Sequence, residues 1–204
     1  MGIENYLAFT IATAIFVITP GMDTIFVLNK TLSGGKKSGI HASLGVSTGV
    51  LVHTLLASFG LSLILAQSAI ALDIIKYAGA IYLFYLGIKS IRFASKIHIT
   101  NKPQKKEKSS YWSGLATNIL NPKVALFFLA FFPQFILPEY VSSPIPFILL
   151  GLTFAGMGVL WCITLSLFAG IFTNKINQKP DSSIRIQKIC GLVFILMAIA
   201  FAFM

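Results

Sequence analysis

Thr19-Pro20-Gly21-Met22-Asp23 interrupts an apolar stretch, residues 6–28, in which Asp23 is the sole charge. Proline removes a backbone donor and clashes with the carbonyl four residues earlier, so a helix through this stretch must kink or break. In lipid, broken backbone is tolerated only against protein or a water-filled cavity. The segment is therefore expected to line a cavity, with Asp23 set to bind a cation, an ammonium group or a proton. The competing reading makes Asp23 a cap on the helix that follows, and the two are compatible. Farther along, Asn121-Pro122-Lys123 repeats the pattern with opposite charge.

Outward from these two breaks, 56% of the 204 residues are apolar and 11% charged, with a mean hydropathy of +0.83. That leaves too little polar surface to coat a soluble globule. A membrane helix needs roughly 20 mainly apolar residues to cross ~30 Å of hydrocarbon. Six stretches qualify: residues 6–28, 41–66, 70–91, 113–137, a window within 140–174, and a last one from near 184 whose uncharged part is 189–204. In the last, Arg185 and Lys188 are expected to snorkel to the interface. The expected fold is all-α, a polytopic membrane protein of six transmembrane helices. Because the breaks fall in the first and fourth spans, the chain divides into two three-helix repeats, 1–95 and 113–204, joined by a basic cytoplasmic linker, 96–112. An odd number of crossings per repeat makes the repeats insert in opposite orientations, a plan common among secondary transporters.

Fourteen of the sixteen basic residues sit between spans one and two, three and four, or five and six. The positive-inside rule places those loops in the cytoplasm and both termini outside. The formal charge of +10 is thus a topology signal. A nucleic-acid surface would gather its lysines on one face studded with aromatics, and these are dispersed over three loops. No Lys or Arg precedes the first apolar stretch, which exceeds the roughly 7–15 residues of a signal-peptide core, so the first span is expected to be retained.

Lys123 is the second candidate charge. Insertion scales assign roughly 2.5–3.5 kcal/mol against a central Lys and about 0.3–0.6 in favour of each Leu, Ile, Phe or Val. Ten such residues between Val124 and Leu137 offset it, so its place beside a proline break is the stronger argument. Asp23 and Lys123 are expected to face each other across the repeat interface with a zwitterionic substrate between them. The alternative is a lysine that snorkels to the cytoplasmic headgroups. Gly45, Gly49 and His53, spaced by four, form a stripe against which a neighbouring helix can come close. His53 then either passes protons to and from Asp23 or simply bonds between helices. Asp73 and Lys76 read as an interfacial i, i+3 pair. Cys162 and Cys190 read as small apolar packing residues.

At these positions the chain resembles the LysE/RhtB family of amino-acid exporters, over nearly its whole length. The residues that carry the likeness are Thr19-Pro20-Gly21-Met22-Asp23, Gly45 to Gly49 with Val52-His53, Tyr82-Leu83-Phe84-Tyr85-Leu86-Gly87, and Asn121-Pro122-Lys123 leading to Phe127-Phe128. Met22 stands where the family commonly has a second proline, and Asp at position 23 resembles the homoserine/threonine branch. The resemblance implies efflux of amino acids or close derivatives, threonine-, homoserine- or leucine-like, across a bacterial cytoplasmic (inner) membrane in exchange for protons. The candidate site residues are Pro20, Gly21, Asp23, His53, Asn121, Pro122 and Lys123, with no metal and no cofactor.

The residues also weigh against rival classes. No P-loop occurs, so ATP is not expected to be this chain's own energy source. A thiol carrier moving electrons would need cysteines at the breaks, where Met22 and Lys123 stand. A heavy-metal or small-ion exporter would want several converging ligands, and an intramembrane enzyme a nucleophile with its base. The residues do not choose among amino-acid substrates, lactones included, and leave a homo-oligomer open.

Overall fold

The computed structural model describes residues 2–67, 69–94, 109–178 and 180–202. The expected linker, 96–112, falls mostly on residues 95–108 and so lies outside the described residues, as do the side chains of Asp73 and Lys76. Among the described residues the regular structure is helical, with one isolated bridge between Ile3 and Ile136.

Helix α1 (Tyr6–Ile18) stops at the first proline break, and α2 (Met22–Leu56) begins directly after it. At 13 residues α1 spans about 20 Å and cannot cross ~30 Å of hydrocarbon by itself. Helix α2 is interrupted at Gly35, whose φ of 78° and ψ of 173° are open essentially only to glycine. The chain folds back there. A Cβ on Gly39 would collide with Thr31 and with the Ser166 hydroxyl, and Val27 and Leu28 of the first arm pack with Ala42 and Val46 of the second. The charged stretch that reads as an interhelical loop is thus a glycine turn between two helical arms, 22–34 and 36–56. Gly35→Ala is expected to destabilise the folded state by ~1–3 kcal/mol, seen as a lower melting temperature of the purified protein; an unchanged melt would show that the turn relaxes freely.

The second arm runs on through a π-helical turn (Ala57–Leu61) into α3 (Ser62–Gln67), and α4 (Ala69–Arg92) follows. Helices α5 (Ser110–Ile119) and α6 (Pro122–Phe131) meet at the second proline break with a bend of 49°. Two 3-10 turns, Phe132–Phe135 and Pro138–Tyr140, lead to α7 (Pro144–Leu167), α8 (Ala169–Gln178) and α9 (Pro180–Ala202). Among the described residues, Met22–Leu65 and Pro144–Leu167 are long and apolar enough to cross a membrane, and the bent α5–α6 pair makes a third such unit.

Side-chain placement is inverted relative to a water-soluble protein. Leu7, Ile81 and Leu120 are 73%, 70% and 76% exposed, whereas Asn118, Ser43, Ser58 and Ser166 are fully buried. An outer shell of large aliphatic side chains around a partly polar interior suits hydrocarbon as solvent. The described chain is therefore a membrane-embedded helical protein.

Small residues let the helices close on one another. Gly45 faces the backbone of Tyr111 and Leu115, Gly49 faces the Asn118 side chain, and Gly114 answers them by facing the Ala42 carbonyl. The second arm of α2 and α5 thus touch backbone to backbone, as the glycine stripe leads one to expect. Gly87 and Gly191 meet in the same way where α4 crosses α9. Between these contacts lies a core rich in phenylalanine, including Phe9, Phe16, Phe127, Phe131, Phe132 and Phe154. Within it, Phe16 and Phe127 have ring centroids 3.9 Å apart.

The loops sort to two ends. Glu4 N donates to Phe135 O at 3.0 Å and Leu137 N to Gly2 O at 3.0 Å, tying the N-terminal residues to the segment after α6. Ser38, beside the glycine turn, shares a 2.6 Å hydrogen bond with Ser110 at the opposite end of the α5–α6 pair.

Candidate functional site

Each proline break frees a backbone carbonyl, and a distant side chain takes it up. In an unbroken helix residue 20 would donate to Phe16 O, and proline has no hydrogen to give. Lys123 Nζ donates there instead at 3.3 Å, and to Thr19 O at 3.4 Å. Its ammonium also lies 4.2 Å from the Phe16 ring centroid. A cation at the carbonyl end of α1 is favourable for the helix dipole as well. Lys123 therefore closes the first break from the far half of the chain rather than reaching for headgroups.

At the second break Pro122 leaves Asn118 O without its usual donor. His53 Nε2 approaches that oxygen at 3.1 Å; a carbonyl can only accept, so this nitrogen carries the hydrogen. Asn121 N also donates to Asn118 O, at 2.9 Å. Asn121 caps α6 with its own side chain, Oδ1 accepting from Lys123 N at 3.0 Å, and Pro122 occupies the first helical position, where no donor is needed. His53 stands behind Asn118 as an interhelical brace. His53→Leu is expected to destabilise the protein by roughly 1 kcal/mol, with His53→Gln recovering most of it; equal melting temperatures for the two variants would remove the brace.

Asp23 sits in the first turn of α2, where a carboxylate is favoured by the dipole, but it caps no backbone group. Its Oδ2 accepts from Asn118 Nδ2 at 2.9 Å and from Asn121 Nδ2 at 3.2 Å. Oδ1 is buried without a partner among the described residues, and so is Asn118 Oδ1. The two site charges thus rest on separate sets of neutral partners, amides for Asp23 and carbonyls for Lys123, and they face one cavity.

That cavity has a volume of about 50 Å³, enough to admit water. Gly21, Asp23, Asn121 and Lys123 line it, while Pro20 and Pro122 shape its two breaks. The first turn of α2 contributes Met22 and Thr24 to the wall, and no side chain caps that turn, so its backbone donors add positive potential there. Asn118 and Trp161 also line it, and sequence reading passed over both. Asn118 had a signal, an amide within an apolar span one turn before Asn121; Trp161, an aromatic in an apolar helix, had none. Cys162, expected to be mere packing, belongs to the wall too.

Chemically the cavity presents an unsatisfied acceptor on Asp23 and a cationic donor on Lys123, a match for a small ligand carrying both signs of charge, whereas Asn118 Oδ1 is turned against Gly49. Among the described residues no three His, Cys, Asp or Glu side chains are grouped to hold a metal ion. Cys162 and Cys190 are both free thiols.

Comparison with known proteins points the same way. The family described as LysE type translocator matches residues 14–204. The chain is 33% identical to membrane protein YrhP of Bacillus subtilis, over 94% of this chain and 95% of that one. It is 29% identical to a membrane protein of Vibrio cholerae over 95% and 94% of the two chains. It is also 29% identical to the homoserine/homoserine lactone efflux protein of Salmonella typhimurium, over 75% and 74%. No solved structure matches.

Proposed function

The chain belongs to the LysE type translocator family, and from that membership we propose that it exports amino acids or close derivatives from the cytoplasm. The observation that carries this reading is the cavity between the two helix breaks, with Asp23 and Lys123 on its wall. A substrate ammonium fits Asp23 Oδ1, which lacks a partner among the described residues. A substrate carboxylate fits Lys123 Nζ and the uncapped first turn of α2, as broken-helix N-termini serve anionic groups in other transporters. The name of the Salmonella typhimurium relative supports a small amino acid or its lactone.

In this reading six spans form two inverted three-helix repeats. Support comes from the two proline breaks and from Lys123 of one half closing the break of the other. The protein sits in a bacterial cytoplasmic membrane with both termini outside. The shared end of the N-terminal residues and the segment after α6, opposite the basic glycine turn, agrees with that orientation. Protons are the coupling ion: Asp23 binds substrate ammonium on the outward journey and a proton on the return.

Overproduction in a sensitive host, with a panel of amino acids, tests the reading. Raised tolerance and extracellular accumulation of small zwitterionic amino acids are expected; no change for any of the panel would end the exporter reading. A cysteine placed at Lys105 is expected to label from the cytoplasmic side alone, and labelling from outside would invert the topology.

A further inference from the structure

Trp161 lies on α7 seven residues beyond Phe154, and both line the cavity. At 1.5 Å per residue they are about 10 Å apart along the helix and on one face. They line it at two levels. Phe154 packs on Phe16, the ring beside Lys123 Nζ, at a centroid distance of 5.7 Å. Trp161 instead meets Phe172 of α8 edge-on at 5.9 Å, beside the cluster that holds Val27, Leu28, Ala42 and Val46.

The indole Nε1 of Trp161 is buried and has no partner among the described residues. Buried indole N–H groups usually find an acceptor, so this one is placed for something the chain itself does not supply. In the export reading a substrate carboxylate is engaged by Lys123 and the first turn of α2. The substrate ammonium cannot accept. What remains of a small amino acid is its side chain.

We propose that Trp161 is a specificity-determining residue whose indole N–H donates to an oxygen on the substrate's side chain, a hydroxyl or a carbonyl. The assignment rests on the export reading, and on Asp23 and Lys123 holding the groups common to all amino acids. Val46, Val50 and the Cys162 thiol, which share the wall, bring no strong donor of their own and favour short side chains. A site built around such a donor discriminates against an isostere that lacks the oxygen, because the N–H is then left unpaired.

The test uses full-length protein in proteoliposomes, with transport and competition measured for two isosteric pairs, threonine with valine and homoserine with norvaline. Wild type is expected to prefer the oxygen-bearing member of each pair. Trp161→Phe keeps an aromatic ring and removes the donor; it is expected to reduce each preference by about tenfold, threonine and homoserine losing affinity relative to valine and norvaline. Equal losses within a pair, or no loss, overturn the assignment and leave the export reading standing. Failure of wild type to bind any of the four overturns both.

The chain has two tryptophans, which supplies a readout that does not depend on the Trp161→Phe variant folding. Trp112 is 67% exposed on α5, so Trp112→Phe leaves Trp161 as the sole emitter in a protein with an intact cavity. Threonine and homoserine are expected to shift its emission and valine and norvaline to leave it unchanged. No shift with bound threonine overturns the assignment.

Discussion

Asp23→Asn is expected to cut export by about 100-fold while the protein still accumulates in the membrane. A hydrogen bond to a charged group contributes about 1.5–3 kcal/mol, which is roughly 10–150-fold in binding, and here the charge also selects the ligand's sign. Asp23 Oδ1 is the acceptor left open toward the cavity. In Asp23→Asn one oxygen can still accept from Asn118 and Asn121, but the new NH₂ group then occupies the position of Oδ1. A substrate ammonium would meet a donor there instead of an acceptor. Insertion should not suffer, since removing a carboxylate from a span lowers its cost in hydrocarbon. Export assayed against membrane abundance checks this. Full efflux at normal abundance would remove Asp23 from the mechanism.

Lys123→Met is expected to abolish export and to destabilise the protein by about 2–5 kcal/mol, because it leaves two carbonyls, Phe16 O and Thr19 O, without their donor. These two effects have different causes and are separable. Lys123→Gln keeps a donor near the carbonyls but removes the charge that a carboxylate needs. It is expected to melt close to wild type and to transport almost nothing. A Lys123→Gln protein that is stable and exports normally would make Lys123 a clamp on the broken first helix and no more.

The carbonyls held by Lys123 show where sequence reading stopped. That Pro20 frees Phe16 O, and Pro122 frees Asn118 O, follows from a spacing of four in the chain. Which side chain takes each carbonyl does not: Lys123 is 107 residues from Phe16, and His53 is 65 from Asn118. The snorkelling alternative for Lys123 was equally consistent with insertion energetics. Sequence leaves His53 as a proton carrier or an interhelical bonder; in the structure its Nε2 donates to the Asn118 carbonyl.

Boundaries moved for local reasons. The stretch between the first two spans reads as a charged loop because Lys36 and Lys37 dominate its hydropathy. The backbone there needs only one non-helical residue, Gly35, to reverse direction. The last helix starts at Pro180, four residues before the start expected near 184, since proline suits a first turn whose amide has no helical acceptor.

The sequence by itself determined the solvent, the helical class, the two breaks and the family. The first three follow from composition and from covalent facts about proline and glycine that hold wherever the chain goes, and the family from its resemblance in four ordered motifs. Only the tertiary structure decided that Asp23 and Lys123 face one cavity through separate neutral partners, and that Asn118 and Trp161 join them. Such pairings depend on helix rotation and approach, set when Gly45, Gly49 and Gly114 let α2 and α5 touch. A one-residue change in register turns a helical side chain by about 100°, and no local pattern in an apolar span specifies that angle.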